Sequence, residues 1–319
     1  MGEKKYTIGL DLGGTNSVFG IVDFDGNIVE QTSIKTQGFS DAASYVTACL
    51  KALLPVIEKV GGLTTIASMG IGAPNGNIIS GCIELASNIA WAHDSKVPLA
   101  EMFSKALGGL PVSLTNDANA AAIGEMTFGA AKGMKNFIVL TLGTGVGSGI
   151  VCNGQLLYGS DGNAGELGHV IVKENGRLCG CGRNGCLETY CSATGVVRTA
   201  KEFLLESDEP SLLRQLAPED ITSYEVSKAA LQGDALAKRI FDYTGEIMGK
   251  ACADMAVFSS PEAFIFFGGL AKAGDLILDP IKKAYDKNVM SIFRGKAQFL
   301  LSPLEGAGAA VLGAAGLKK

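Results

Sequence analysis

A β-rich stretch broken by a glycine turn occurs twice in this chain, and that duplication constrains the fold more than any local propensity does. Residues 6–30, YTIGLDLGGTNSVFGIVDFDGNIVE, read as a strand, a glycine-rich turn, a second strand, the pair Asp25-Gly26 and a third strand. Residues 137–159, FIVLTLGTGVGSGIVCNGQLLYG, repeat the layout with Asn153-Gly154 as the second turn. Asp-Gly and Asn-Gly between alternating runs predict tight hairpins, because both central positions take positive φ. Each half therefore opens on a meander whose first turn, LGGT or LGTG, gathers backbone N–H groups into a concavity suited to a phosphate. One such turn carries little weight, since tight turns need glycine on steric grounds alone. Two at equivalent places predict a nucleotide triphosphate chain held from both sides of one cleft. Asp11, at the end of the first strand, is placed to hold Mg2+ through water; it reads equally well as a strand-end turn aspartate.

The other segments fit α/β layering. Ser40 and Asp41 cap a helix through about residue 60, with Gly61-Gly62 as its stop. Helices are also predicted over 234–258 and 275–288, and the polar stretch 206–223, with Pro210 and Pro218, reads as a surface loop. The small-residue end EGAGAAVLGAAG predicts a C-terminal helix packed tightly on a sheet or on the other lobe. Gly268-Gly269, after the apolar run AFIFF, permits close backbone approach to a flat ligand such as adenine and is equally a packing feature.

Size and charge narrow the setting. A chain of 319 residues exceeds a single core and predicts two lobes. Its formal charge of −5, with no Lys/Arg-rich run, argues against a nucleic-acid surface. The start, MGEKKYTIGLDLGG, holds neither a long apolar segment nor a small-residue cleavage pattern, which predicts a cytoplasmic protein with no membrane partner. Cys49, Cys82, Cys152, Cys191 and Cys252 lie scattered among apolar neighbours and read as buried thiols, and His93 as a surface residue.

Chemistry concentrates between Glu166 and Glu188, in ELGHVIVKENGRLCGCGRNGCLE. His169, Cys179, Cys181 and Cys186 offer one imidazole and three thiolates, a set that fills a tetrahedral Zn2+ and marks it as structural. Glycines 180, 182 and 185 let the backbone bend enough for the sulfurs to converge. Glu166 and Glu188 flank the cluster, so a bound metal holds two carboxylates in fixed positions, suited to sugar hydroxyls. Alternatively one of them orients His169 or pairs with Arg177 or Arg183. A further candidate lies in SLTNDANAAAIGE, where Asn116 and Asp117 join a short strand to an alanine-rich helix. A carboxylate there suits a general base for a hydroxyl attacking a phosphoryl group, and Asn or Asp before such a run is also what a helix N-cap looks like.

Taken together, LDLGGTN near the N terminus, ND at 116–117, LGTGVG at 142–147, ELGH at 166–169, CGCGRNGCLE at 179–188 and GG at 268–269 resemble the ROK family of sugar kinases and sugar-responsive repressors. The likeness covers essentially the whole chain, and the cysteine segment matches the family pattern C-x-C-G-x-x-G-C-x-E at every specified position. The resemblance implies an α/β chain with the duplicated actin-like ATPase (ribonuclease H-like) fold. Its lobes would be residues 1–115 plus 304–319 and residues 116–303, the latter with the zinc loop, and sugar and ATP would meet in the interlobe cleft. It implies Asp117 as catalytic base for the sugar 6-hydroxyl, with Asn88, Asn116, Glu166, His169 and Glu188 on the sugar. Gly13, Gly14, Thr15, Gly143, Thr144 and Gly145 would contact phosphates, Gly268 and Gly269 the nucleoside, and His169 would serve zinc and sugar together. One region departs: where the family has G-x-P-G and then N-L-x-W, this chain has GAPN at 72–75 and NIAW at 88–91. Asn88 and Trp91 match, whereas Asn75 leaves hexose selectivity open.

The reading that results is an ATP- and Mg2+-dependent hexose kinase acting at O6, on glucose first, with fructose, mannose or N-acetylmannosamine as alternatives and a homodimer or homotetramer as its form. A sugar-binding repressor is disfavoured, because ten residues before Asp11 are too few for a helix-turn-helix domain. A zinc hydrolase is disfavoured because a Cys3His set leaves no position for water.

Overall fold

The duplication read in the sequence is a duplication of sheets. The structure is a computed structural model describing residues 3–86, 88–304 and 306–317. The chain divides into two units, Met1–Gly133 with Leu156–Ala164 and Pro303–Lys319, and Met134–Gln155 with Gly165–Ser302.

In the first unit, strands β1 (Tyr6–Leu12), β2 (Asn16–Asp23) and β3 (Ile28–Lys35) form the expected antiparallel meander. Strand β4 (Ile66–Ala73) pairs parallel to β1. A small sheet of β5 (Gly76–Asn77), β6 (Cys82–Glu84) and β7 (Lys96–Val97) follows, and β8 (Val112–Asn116) then joins β4 in parallel, giving the order β3-β2-β1-β4-β8. Ile8, Leu10 and Leu12 alternate along β1 and are fully buried in one core with Tyr45, Leu53 and Phe103 from helices α1 (Ala42–Lys59) and α2 (Leu99–Ala106). Of the two expected caps, Asp41 and not Ser40 is the N-cap of α1, in a capping box with Ser44. The opposite face of the sheet is bare of side chains where the C-terminal helix Gly306–Ala315 lies on it. A Cβ at Gly9 would stand 2.0 Å from the Val311 carbonyl oxygen and one at Gly70 1.8 Å from that of Ala314, so the helix packs on this sheet backbone to backbone. Helix α3 (Asp117–Phe128) packs against the same C-terminal helix.

The second unit repeats the plan. Strands β9 (Phe137–Leu142), β10 (Val146–Cys152) and β11 (Gln155–Leu156) are followed by β12 (Ala263–Phe267) and β13 (Gln298–Leu301), in the order β11-β10-β9-β12-β13. Again the first two strands are antiparallel and the added two parallel, though β11 has only two residues. Residues Phe137–Leu140 and Ala263–Phe266 are buried without alternation, as in strands covered on both faces. The helices are α4 (Glu188–Cys191), α5 (Ala193–Glu206), α6 (Ser223–Leu231), α7 (Ala235–Ser259) and α8 (Asp275–Asn288), the last two within a residue of their predicted bounds. The predicted loop over 206–223 contains a 3-10 turn, Leu212–Gln215. It is anchored by buried Leu213 and by Asp234, which accepts the Leu212 N–H at 2.6 Å while capping α7.

Among the described residues no helix is long and apolar enough to cross a membrane. Cys49, Cys82, Cys191 and Cys252 are buried thiols as expected, whereas Cys152, at the end of β10, is half-buried. His93 is on the surface beside Asp94.

Candidate active site

Each glycine turn is tied down by its carbonyls. Between β1 and β2, the Gly13 carbonyl accepts the Thr36 hydroxyl at 2.7 Å, that of Gly14 accepts the Gln37 amide at 2.6 Å, and that of Thr15 accepts the Thr36 N–H at 2.9 Å. Between β9 and β10, Gly143 accepts the Ala193 N–H at 2.8 Å, Thr144 accepts the Thr194 hydroxyl at 2.8 Å, and Gly145 accepts the Gly143 N–H at 3.0 Å. Among the described residues, the N–H groups of Gly14, Thr15, Thr144 and Gly145 have no protein acceptor. Turns whose carbonyls are held while successive N–H groups lack a protein acceptor are of the kind that can receive an anion.

Asp11 lies within β1, opposite Val18 and Gly72, and Asn116 ends β8, two strands away in the same sheet. The choice between cap and base is divided between neighbours. Asn116 is the N-cap of α3, its side chain accepting the Ala118 N–H at 2.7 Å, and Asp117 is the first helical residue. The Asp117 carboxylate also accepts that N–H, at 2.8 Å. Surrounding protein desolvates the Asp117 carboxyl and raises its pKa, yet the side chain keeps accessible surface, so it is crowded but reachable by a substrate. Asp11 is raised to about 6, by burial first and by the negative charge of Asp117 second. Two carboxylates that repel one another present oxygen ligands a hard divalent cation would relieve.

In the second unit the predicted metal set converges: the donor atoms of His169, Cys179, Cys181 and Cys186 all lie within 4.8 Å of one another. Cys181 and Cys186 sulfurs are 3.6 Å apart, and Cys179 sulfur is 3.6 Å from His169 Nδ1. Tetrahedral zinc with Zn–S near 2.3 Å separates sulfurs by roughly 3.8 Å, so the set fits the ion. The knuckle is closed by isolated bridges between Ile171 and Cys186 and between Leu178 and Asn184. Gly185 makes the tightest bend, at φ +82°, with the Lys173 carbonyl oxygen 1.7 Å from where its Cβ would be; Gly182 also has positive φ, and Gly180 does not.

The two glutamates part company. Glu188 Oε2 accepts the Val146 N–H at 3.0 Å, and its Oε1 lies 3.6 Å from Cys179 sulfur. Neither arginine alternative holds for it: buried Arg177 pairs with Glu202, and Arg183 donates to the His169 carbonyl. Glu166 is exposed just before the turn Leu167–His169. Gly268, at φ +105°, meets the Leu142 backbone, which is the packing role, while Gly269 faces open space. Asn88 is exposed, with its Nδ2 3.4 Å from where a Gly14 Cβ would be. Asn75 takes φ +52°, the left-handed conformation that glycine favours, and its amide donates to the carbonyls of Glu84 at 3.0 Å and Leu85 at 3.1 Å. Asparagine is among the few residues besides glycine that take this conformation readily. Thr36, Gln37 and Thr194 were not visible as site residues; their only sequence signal is a polar residue just after a strand or at a helix start.

With this geometry in hand, the family model described as ROK family matches residues 7–319. The chain belongs to the ROK family. A glucokinase of Halalkalibacterium halodurans is 36% identical to this ROK chain over 99% of its length and 95% of its own. One of Thermotoga maritima is 36% identical over 99% and 98% respectively. The crystal structure of a ROK family glucokinase from Streptomyces griseus, in complex with glucose and AMPPNP, superposes with a TM-score of 0.79 at 37% identity, covering 97% of this chain and 98% of the other. The matched sheet orders and this likeness identify the ROK chain as having the duplicated actin-like ATPase fold.

Proposed function

We propose that this ROK protein is an ATP-dependent sugar kinase of the glucokinase type, transferring the γ-phosphoryl group of ATP to O6 of glucose. The observation that carries the reading is the division of labour at the start of α3: Asn116 caps the helix, which leaves the Asp117 carboxylate accessible for a substrate. In the transfer, the sugar O6–H proton passes to that carboxylate as the O6–P bond forms. The bond from the γ-phosphorus to the bridging oxygen breaks, and ADP leaves with the electron pair. The raised pKa of Asp117 suits a base that must accept a proton at neutral pH.

Asn88, Asn116, Glu166, His169 and Glu188 orient the hexose. The N–H groups of Gly14, Thr15, Thr144 and Gly145 receive phosphate oxygens, with Gly13 and Gly143 shaping the turns and Gly268 and Gly269 at the nucleoside end. Asp11 would hold Mg2+, which when bound would supply charge neutralisation for the transferred group. His169, Cys179, Cys181 and Cys186 would hold a structural zinc. The enzyme works in the cytoplasm as a homodimer or homotetramer. Glucose is the first substrate because the relatives similar to this chain are named glucokinases, with fructose, mannose and N-acetylmannosamine as alternatives.

ATP-dependent ADP release across these four sugars tests the proposal. Turnover led by glucose supports it, turnover led by another hexose transfers the reading to that sugar, and silence on all four refutes it.

A further inference from the structure

Gln37 follows β3 and joins Gly14, 23 residues before it in sequence, to Asn88, 51 residues after it. Its Nε2 donates one hydrogen bond to the Gly14 carbonyl at 2.6 Å and another to the Asn88 carbonyl at 2.8 Å, and its Oε1 accepts the Ala90 N–H at 3.3 Å. A planar primary amide has two donors about 120° apart and an acceptor on the same plane, so one side chain can bind three backbone groups without bending. The neighbouring Thr36 fixes the frame: its carbonyl accepts the Trp91 indole N–H at 2.9 Å, and Trp91 stacks on Tyr45 at 4.4 Å. The segment 88–91 is therefore held at its backbone by Gln37 and through the Trp91 side chain by Thr36.

From this geometry we infer that Gln37 is a positioning residue that makes the phosphate turn Gly13–Thr15 and the segment Asn88–Trp91 one mechanical body, so that ordering of either by its ligand prepares the other. The inference rests on the kinase reading for the ligands, sugar at Asn88 and ATP phosphate at the turn, and on hydrogen bonds alone for the coupling. Gln37 touches neither ligand in this account. Its effect is cooperative: sugar binds more tightly once nucleotide has ordered the turn, by a factor on the order of ten.

Two variants of the full chain separate coupling from loss of fold. Gln37→Leu removes all three hydrogen bonds at similar volume; Gln37→Glu keeps length and the acceptor but loses both donors. Hydrogen exchange by mass spectrometry, without ligand, is expected to show faster exchange at 12–17 and 88–92 in both variants, with the rest of the chain unchanged. KM for ATP and for glucose is expected to rise about tenfold with a smaller change in kcat. The tightening of glucose binding by a non-hydrolysable ATP analogue is expected to disappear. Unchanged exchange in those two segments, or coupling that survives in Gln37→Glu, overturns the inference. A wild-type chain that phosphorylates no sugar sinks the kinase reading instead, and the exchange measurement then decides the strap alone.

Discussion

The carboxylate of Glu188 receives the Val146 N–H at 3.0 Å with one oxygen and lies 3.6 Å from the Cys179 sulfur with the other. It is thus the direct link between the cysteine knuckle and the strand that leaves the second glycine turn. A Cβ at Gly145 would stand 2.2 Å from Glu188 Oε2, so a larger residue there would displace this carboxylate. A carboxylate placed by a metal knuckle on one side and a turn on the other transmits the shape of one to the other.

Glu188→Ala should therefore cost both stability and activity. It strands the Val146 N–H, a group on a buried residue, at a cost of about 1–3 kcal/mol. Thermal melts should fall by several degrees, and Glu188→Gln, which keeps an acceptor, should recover most of the loss. Equal melting of Ala and Gln variants would show that the hydrogen bond carries nothing.

Thr194→Val removes the hydroxyl that holds the Thr144 carbonyl at 2.8 Å while preserving side-chain shape. A net hydrogen bond of about 1 kcal/mol predicts a rise in KM for ATP of roughly three- to tenfold, with kcat less affected and Thr194→Ser restoring the wild-type value. An unaltered KM in steady-state kinetics contradicts the tied-turn account.

Helix capping separates Asn116 from Asp117. Asn116→Ala deletes the cap and should lower stability by about 1 kcal/mol. Asp117→Ala should leave the melting temperature unchanged or raise it, because a repelled carboxylate has been removed. Chemical denaturation of the two variants side by side checks this; a larger loss in Asp117→Ala would restore the structural reading of that residue.

Asp11 yields a pH dependence with a definite sign. Its folded pKa of about 6 stands above the ordinary 3.8, so between those values the native chain binds more protons than the unfolded one. Without magnesium, the Asp11 contribution to stability is therefore fully favourable below about pH 4 and is lost as pH rises through about 6. Asp11→Asn should flatten the melting-temperature profile over that window and raise the metal-free melting temperature at pH 7 by a few degrees. A variant profile parallel to wild type would remove Asp11 as its source.

What was legible in the sequence was what lies close together in it. The meanders showed through Asp25-Gly26 and Asn153-Gly154, because turn chemistry is local, but only Asn153-Gly154 takes positive φ at both positions; at the first turn Gly26 alone does, in a longer loop closed by the Asp23 N–H on the Asn27 carbonyl. The metal cluster showed because all four ligands fall between His169 and Cys186. Asn116 and Asp117 were found but not told apart, since either side chain can cap and only the backbone at residue 116, extended before the helix, decides it. Thr36, Gln37 and Thr194 were missed because each acts on a turn from a distant segment, and no periodicity reports a side chain that reaches across 23 or 50 residues. Gly268 carried two readings, and only its contact with the backbone of Leu142 can be read without a ligand, since a Cβ there would stand 2.7 Å from the Leu142 carbonyl oxygen.

Phosphorus NMR of the product formed from ATP and glucose, by the wild-type chain and by Asp117→Asn, tests the role of Asp117 most directly. The wild type should form glucose 6-phosphate and the variant should be slower by about 10²–10⁴, with glucose binding retained in calorimetry. Product at another hydroxyl, or a variant as fast as wild type, contradicts the assignment of Asp117 as the base for O6.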